Sequence, residues 1–253
     1  CRRDDASGYW SCRELAPPVA ARAEPPARTT FVTTGDAIAD RLAPSLVLVN
    51  FDMPFSVAGV TERNYHGTGV IVDATRGLVA VDRNTVPVAV GDVRITVAGS
   101  VEVPGRVEYV HPQHNLALVS FDPALLDGTP IRAAKLDPRD LVPGESVTVV
   151  GLRGDSRVRA LATTVSSVEG VNFPLSRTLR FRESNLEVAS LENAPTDFDG
   201  VIAGRDGRVR ALWSSFATEA GRDFVQINRA IGADLVVEMV ATLRSGEPLY
   251  SLE

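Results

Sequence analysis

From Leu46 to Ile227 the chain is broken into short β-branched runs by turn residues, and that spacing decides its class of fold. A first series comprises Leu46–Phe51, His66–Val72, Leu78–Asp82, Val93–Ala98, Gly105–Val110 and Leu116–Phe121. A second comprises Ser146–Gly151, Val158–Val168, Thr178–Phe181, a hairpin around Asp206, and Phe224–Ile227, with Leu136 to Gly144 between the two. The breaks carry Thr75-Arg76-Gly77, Val90-Gly91-Asp92, Ala98-Gly99-Ser100 and Pro123. Strands so closely spaced exclude βαβ units, whose crossovers need a helix, and point to a sandwich or closed barrel. Two series of comparable length predict an all-β chain of two antiparallel β-barrels side by side.

Two helices frame this pattern. Thr34 to Ala43 places Ile38 and Leu42 on one face behind a Thr34-Gly35-Asp36 cap, and Pro44 ends it. At the other end Asn228 is read as an N-cap, with Ile231, Leu235, Met239 and Leu243 as the apolar stripe and Ser245-Gly246 as the stop. Residues 1–28 hold Pro17-Pro18 and Pro25-Pro26 and read as an extended arm, on which Tyr9 and Trp10 would anchor to a neighbour. The domain division expected is 1–28 arm, 29–135 first barrel, and 136–253 second barrel with the closing helix.

The net charge of −6 comes from interspersed charges of both signs, which argues against nucleic acid. No apolar run reaches the ~18 residues of a membrane helix. A start at Cys1 reads as a fragment of a longer, soluble polypeptide whose targeting signal and compartment lie outside it. Cys1 and Cys12 are close enough in sequence for a disulfide but form no framework. His111 and His114 make a His-x-x-His without a carboxylate or cysteine cluster to complete a metal site, so neither metal nor cofactor is expected.

The segment Asp197 to Val209 reads as strand, two-residue Asp206-Gly207 turn and returning strand. With Gly67-Thr68-Gly69-Val70-Ile71-Val72, Val81-Asp82-Arg83-Asn84-Thr85-Val86 and His111-Pro112-Gln113-His114-Asn115-Leu116-Ala117, it resembles HtrA/Deg-type, trypsin-like serine proteases. The likeness runs from about Phe31 to Leu243 and is closest to the degenerate second protease unit of the large two-repeat fungal and plant proteins. It implies the chymotrypsin-like two-barrel fold.

In that family the catalytic histidine falls on Asn84, the acid on Asn115 and the nucleophile on Phe198. An asparagine amide is not a base near neutral pH, and a phenyl ring offers neither a labile proton nor a lone pair. The resemblance therefore implies a pseudoprotease, catalytically inactive and no enzyme itself, cut from a larger PDZ-containing protease engaged in proteolysis and protein quality control. Its role would be assembly or regulation, as a homo-oligomer such as a trimer or with other domains of the same polypeptide. The alternatives are a peptide- or unfolded-protein-binding module that does not cut and, less favoured, an active serine endopeptidase. Peptide-cleft candidates are Arg182, Thr196, Asp197, Asp199 and Gly200.

Overall fold

The structure is a computed structural model that describes residues 2–3, 10–11, 29–54, 63–112, 114–170, 187–220 and 223–246. Near the start, β1 (Arg2–Arg3) and β2 (Trp10–Ser11) form an antiparallel ribbon. The first barrel is built from β3 (Leu46–Asp52), β4 (Asn64–Asp73), β5 (Leu78–Val81), β6 (Asp92–Val97), β7 (Val101–Val110) and β8 (Ala117–Phe121), closed in the order β3-β4-β5-β8-β7-β6. The second uses β9 (Ser146–Leu152), β10 (Val158–Gly170), β11 (Glu187–Leu191), β12 (Asp199–Ala203), β13 (Val209–Ala220) and β14 (Asp223–Gly232), closed as β10-β11-β14-β13-β12-β9. All pairings inside both barrels are antiparallel. No helix among the described residues is long and apolar enough to cross a membrane.

Side-chain alternation explains why so many strands are apolar on both faces. Val47, Val49 and Phe51 point into the first barrel with Ile71, Val79 and Val119. Their neighbours Leu46, Leu48, Val70, Leu78, Ala80 and Leu118 point outward, yet they are buried. There they meet Val150, Leu152, Val201, Ala203 and Leu212 of the second barrel. The same cluster takes in Ala39 and Leu42 of α1 (Ala37–Leu42) and Val236, Met239 and Val240 of α2 (Ala233–Ser245). The barrels thus share an apolar seam, and both helices are packed onto it.

Local chemistry sets the helix ends. Asp36 Oδ1 accepts the amides of Ile38 and Ala39 at 2.9 Å, and α1 stops before Pro44, as the sequence predicts. The closing helix starts later than its stripe suggests: Gly232 is the N-cap, while Asn228 and Ile231 lie on β14. Ladder pairing with β13 through Ala211↔Gly232 outweighs the capping tendency of Asn228. The helix ends as expected, on Gly246 in the left-handed conformation at φ +74.

Two further differences concern strands. β7 begins at Val101 rather than Gly105, because Val101 and Val103 alternate inward while Glu102 and Pro104 face out. The hairpin loop is Arg205-Asp206-Gly207, closed by Gly204 N–H to the Arg208 carbonyl at 3.0 Å, with Gly207 at φ +71. That is a turn followed by a left-handed glycine, longer by one residue than the two-residue loop expected. β11 went unforeseen, and the predicted strand Thr178–Phe181 lies outside the described residues.

Candidate functional site between the barrels

Asn84 and Asn115 come from loops of the first barrel, after β5 and before β8, and both reach Ser215 on β13 of the second. Asn84 Nδ2 donates to Ser215 Oγ at 2.9 Å. Asn115 is fully buried; its Nδ2 donates to the Ser215 carbonyl at 2.6 Å and its Oδ1 accepts the Arg83 amide at 2.9 Å. Each amide is spent on holding the barrels together, and neither carries a basic nitrogen. Phe198 stands just ahead of β12, partly buried, with its ring against the core that contains Trp213 and Ile202. A Cβ on Gly151 would lie 2.9 Å from the Phe198 ring and 1.7 Å from the Asp199 carbonyl oxygen, so glycine is required where these chains touch.

The remaining candidates separate. Thr196 and Asp197 are exposed, and Asp197 pairs with Arg153 at 3.3 Å. Gly200 is buried within the ladder between Gly151 and Trp213, and a Cβ there would meet the Val150 carbonyl at 2.3 Å. Asp199 turns toward the first barrel, where Oδ1 accepts the Thr68 amide at 3.0 Å and lies 2.9 Å from its hydroxyl. Arg182, Tyr9, Cys1 and Cys12 lie outside the described residues, as does the side chain of Trp10.

Sequence reasoning passed over Asp82, Thr85, Thr68 and Ser215. Asp82 is buried: its Oδ1 accepts the Thr85 amide at 2.7 Å, while Oδ2 accepts the Ser215 amide at 2.9 Å and its hydroxyl at 3.2 Å. An aspartate that follows an apolar strand with threonine three residues on is an Asx-type turn signal and marks this site. Burial raises the Asp82 carboxyl above the ordinary range, against the hydrogen bonds from Ser215 and Thr85. Burial first, and the Asp82 charge second, push Asp199 up to about 7. Nearby, the rings of His111 and His114 stack at 4.5 Å, and His111 Nδ1 accepts the His114 amide at 3.0 Å. Burial, then the charges of His114 and Arg83, push His111 down to about 4.

Residues 67–220 match the family described as "Trypsin-like peptidase domain". A PDZ domain-containing protein of Schizosaccharomyces pombe is 33% identical over 96% of this chain and 25% of its own length. The "Pro-apoptotic serine protease nma111" of Aspergillus clavatus is 32% identical over 86% of this chain and 22% of its own. Among solved structures, the HtrA-type protease AlgW with tripeptide superposes with a TM-score of 0.59 at 15% identity, covering 83% of this chain and 64% of that one. The chain thus spans about a quarter of the length of these curated relatives.

The expectation that the chain is no enzyme is corrected by these matches: relatives aligned over most of it are named serine proteases, and the matched domain is a peptidase domain. That expectation rested on three side chains, whereas membership is carried by the strand order and buried core of the whole domain. The chain belongs to the trypsin-like peptidase domain family.

Proposed function

We propose that this chain is a protease-like unit that serves assembly and regulation within a larger HtrA-type serine protease. The observation that supports this most is the use of Asn84 and Asn115: both are hydrogen-bonded across the barrels to Ser215, where the family places a proton shuttle. The reading takes residues 1–28 as an arm and divides the barrels at 135–136, with Phe198 as a plug at the nucleophile position. Partners are further copies of the chain, a trimer among them, or other domains of the same polypeptide. In the full-length parent, Phe198→Ser should leave casein hydrolysis unchanged. Asn115→Ala should shift the oligomer distribution seen by size exclusion with light scattering. An oligomer distribution that Asn115→Ala leaves unchanged would overturn the reading.

A second reading, a peptide-holding module that does not cut, is favoured by one feature. β12 pairs with β13 only as far as Gly200↔Trp213, whereas β13 continues to Ala220 along β14. An extended peptide could add to that edge by main-chain bonding. The Ser215 amide and carbonyl are already taken by Asp82 and Asn115, so pairing would begin beyond Phe216. Peptide-array binding that is lost on placing proline at Ala217 would support this module; an array without binders would exclude it.

A further inference from the structure

Two carboxyl groups cross between the barrels in opposite directions. Asp82, at the end of β5 in the first barrel, grips the amide and hydroxyl of Ser215 in the second. Asp199, opening β12 in the second barrel, grips the amide and hydroxyl of Thr68 in the first. Each side uses the same donor set, a backbone N–H plus the hydroxyl of the same residue. The two grips meet at Thr85, whose hydroxyl is hydrogen-bonded to Asp82. The Thr85 Oγ1 and Asp199 Oδ2 lie 2.1 and 2.7 Å from the point that a Cβ on Gly67 would occupy. Only glycine at 67 lets these groups come together.

No cation among the described residues balances the pair. Among the described residues neither carboxyl is bonded to arginine, lysine or histidine. Arg83 turns to the carbonyls of His111 and Pro112 at 2.6 and 3.4 Å, and Arg153 pairs with Asp197. His66 on β4 lies toward Gly154. Two like charges in one buried crevice without a counter-ion do not both ionise.

We infer that Asp82 and Asp199 form a proton-holding latch between the barrels, fastened while one of the two carboxyls keeps its proton and loosened when that proton leaves. The sense of the pH dependence follows from the raised Asp199. A carboxyl that holds its proton more tightly when folded makes the fold lose stability as pH rises from about 4, its unfolded range, to about 7. Loss of that proton leaves both carboxyls charged in one crevice, and repulsion falls on the Thr68 and Ser215 contacts that join the barrels. The device belongs to the fold and holds whether the parent uses this unit for assembly or for peptide binding.

The test compares the wild-type chain with Asp199→Asn and Asp82→Asn between pH 5 and 8. The melting temperature of the wild type should fall relative to Asp199→Asn by roughly 5 °C across that window. His111 titrates in both proteins and cancels in the difference. With the intrinsic base-catalysed rate divided out, the protection of the Thr68 and Ser215 amides should fall by at least about tenfold above pH 7 in the wild type and stay flat in Asp199→Asn. Parallel melting curves would overturn the latch. So would a side-chain carboxyl NMR titration of the wild type placing Asp199 near 4, a measurement that does not depend on either variant folding.

Discussion

The two barrels reach the same closed six-stranded form by different means. The first is mostly aliphatic: eighteen buried residues make its core among those described, Phe51 and Phe121 among them and valines through most of the rest. The second has ten, arranged around Trp213, and β11 meets β14 through only two residue pairs. It adds a buried cation. Arg210 donates to Glu145 and to the carbonyls of Arg139 and Asp140, and so ties the inter-barrel connection to β13. The difference shows in what each gives to the crevice. A self-sufficient first barrel can present Asp82, Asn84 and Asn115 from its loops and strand ends, while the second presents Ser215 from within a strand and Phe198 and Asp199 from a strand start.

Core truncation should expose that contrast most strongly. Phe51→Ala should cost about 3–5 kcal/mol in urea unfolding, because the ring is fully buried and already fills the space above Gly91. Trp213→Ala should cost about as much. Trp213→Phe should cost clearly less, because the indole N–H is buried with no hydrogen-bond partner among the described residues and its removal relieves a desolvated donor. Equal losses for Trp213→Ala and Trp213→Phe would break the comparison.

The charged networks come next. Arg210→Ala should cost about 3 kcal/mol, since it strands Glu145 and two carbonyls. Arg94→Ala on the first barrel, in a half-exposed cluster with Asp52, Asp92 and Glu102, should cost below about 1 kcal/mol. Within the crevice, Asn115→Ala should cost about 2 kcal/mol because the Arg83 amide and the Ser215 carbonyl each lose a buried partner. Asn84→Ala, which loses one side-chain contact, should cost about 1 kcal/mol. Chemical denaturation midpoints at constant m-value would order these four.

The smallest effect is one of sign. His111 in the first barrel is held down to about 4, so the stability it provides is complete above its unfolded value near 6.5 and is lost as pH falls toward 4. Asp199 works in the opposite direction over nearly the same window. Ring-proton NMR should show His111 uncharged at pH 6; a midpoint above 6 would remove the opposition.

The strand series, the first helix with its Asp36 cap and the Gly246 stop were legible because each depends on local chemistry: alternation, turn residues and capping. So was the family, since its motifs keep their order along the chain. Asn84 and Asn115 could be named from those motifs, yet their common partner Ser215, about a hundred residues further on, could not. Asp82 and Asp199 were harder still, because a carboxylate beside a strand looks solvated until another barrel closes over it. Asn228 shows the reverse case: its local preference was for a cap, and a long-range ladder placed it in a strand.

The sequence by itself determined an all-β chain in two strand series, since β-branched runs with closely spaced turns leave no room for βαβ crossovers. Only the tertiary structure decided what the crevice holds. Burial and hydrogen bonds between residues a hundred or more positions apart arise from the seam, not from either strand that borders it.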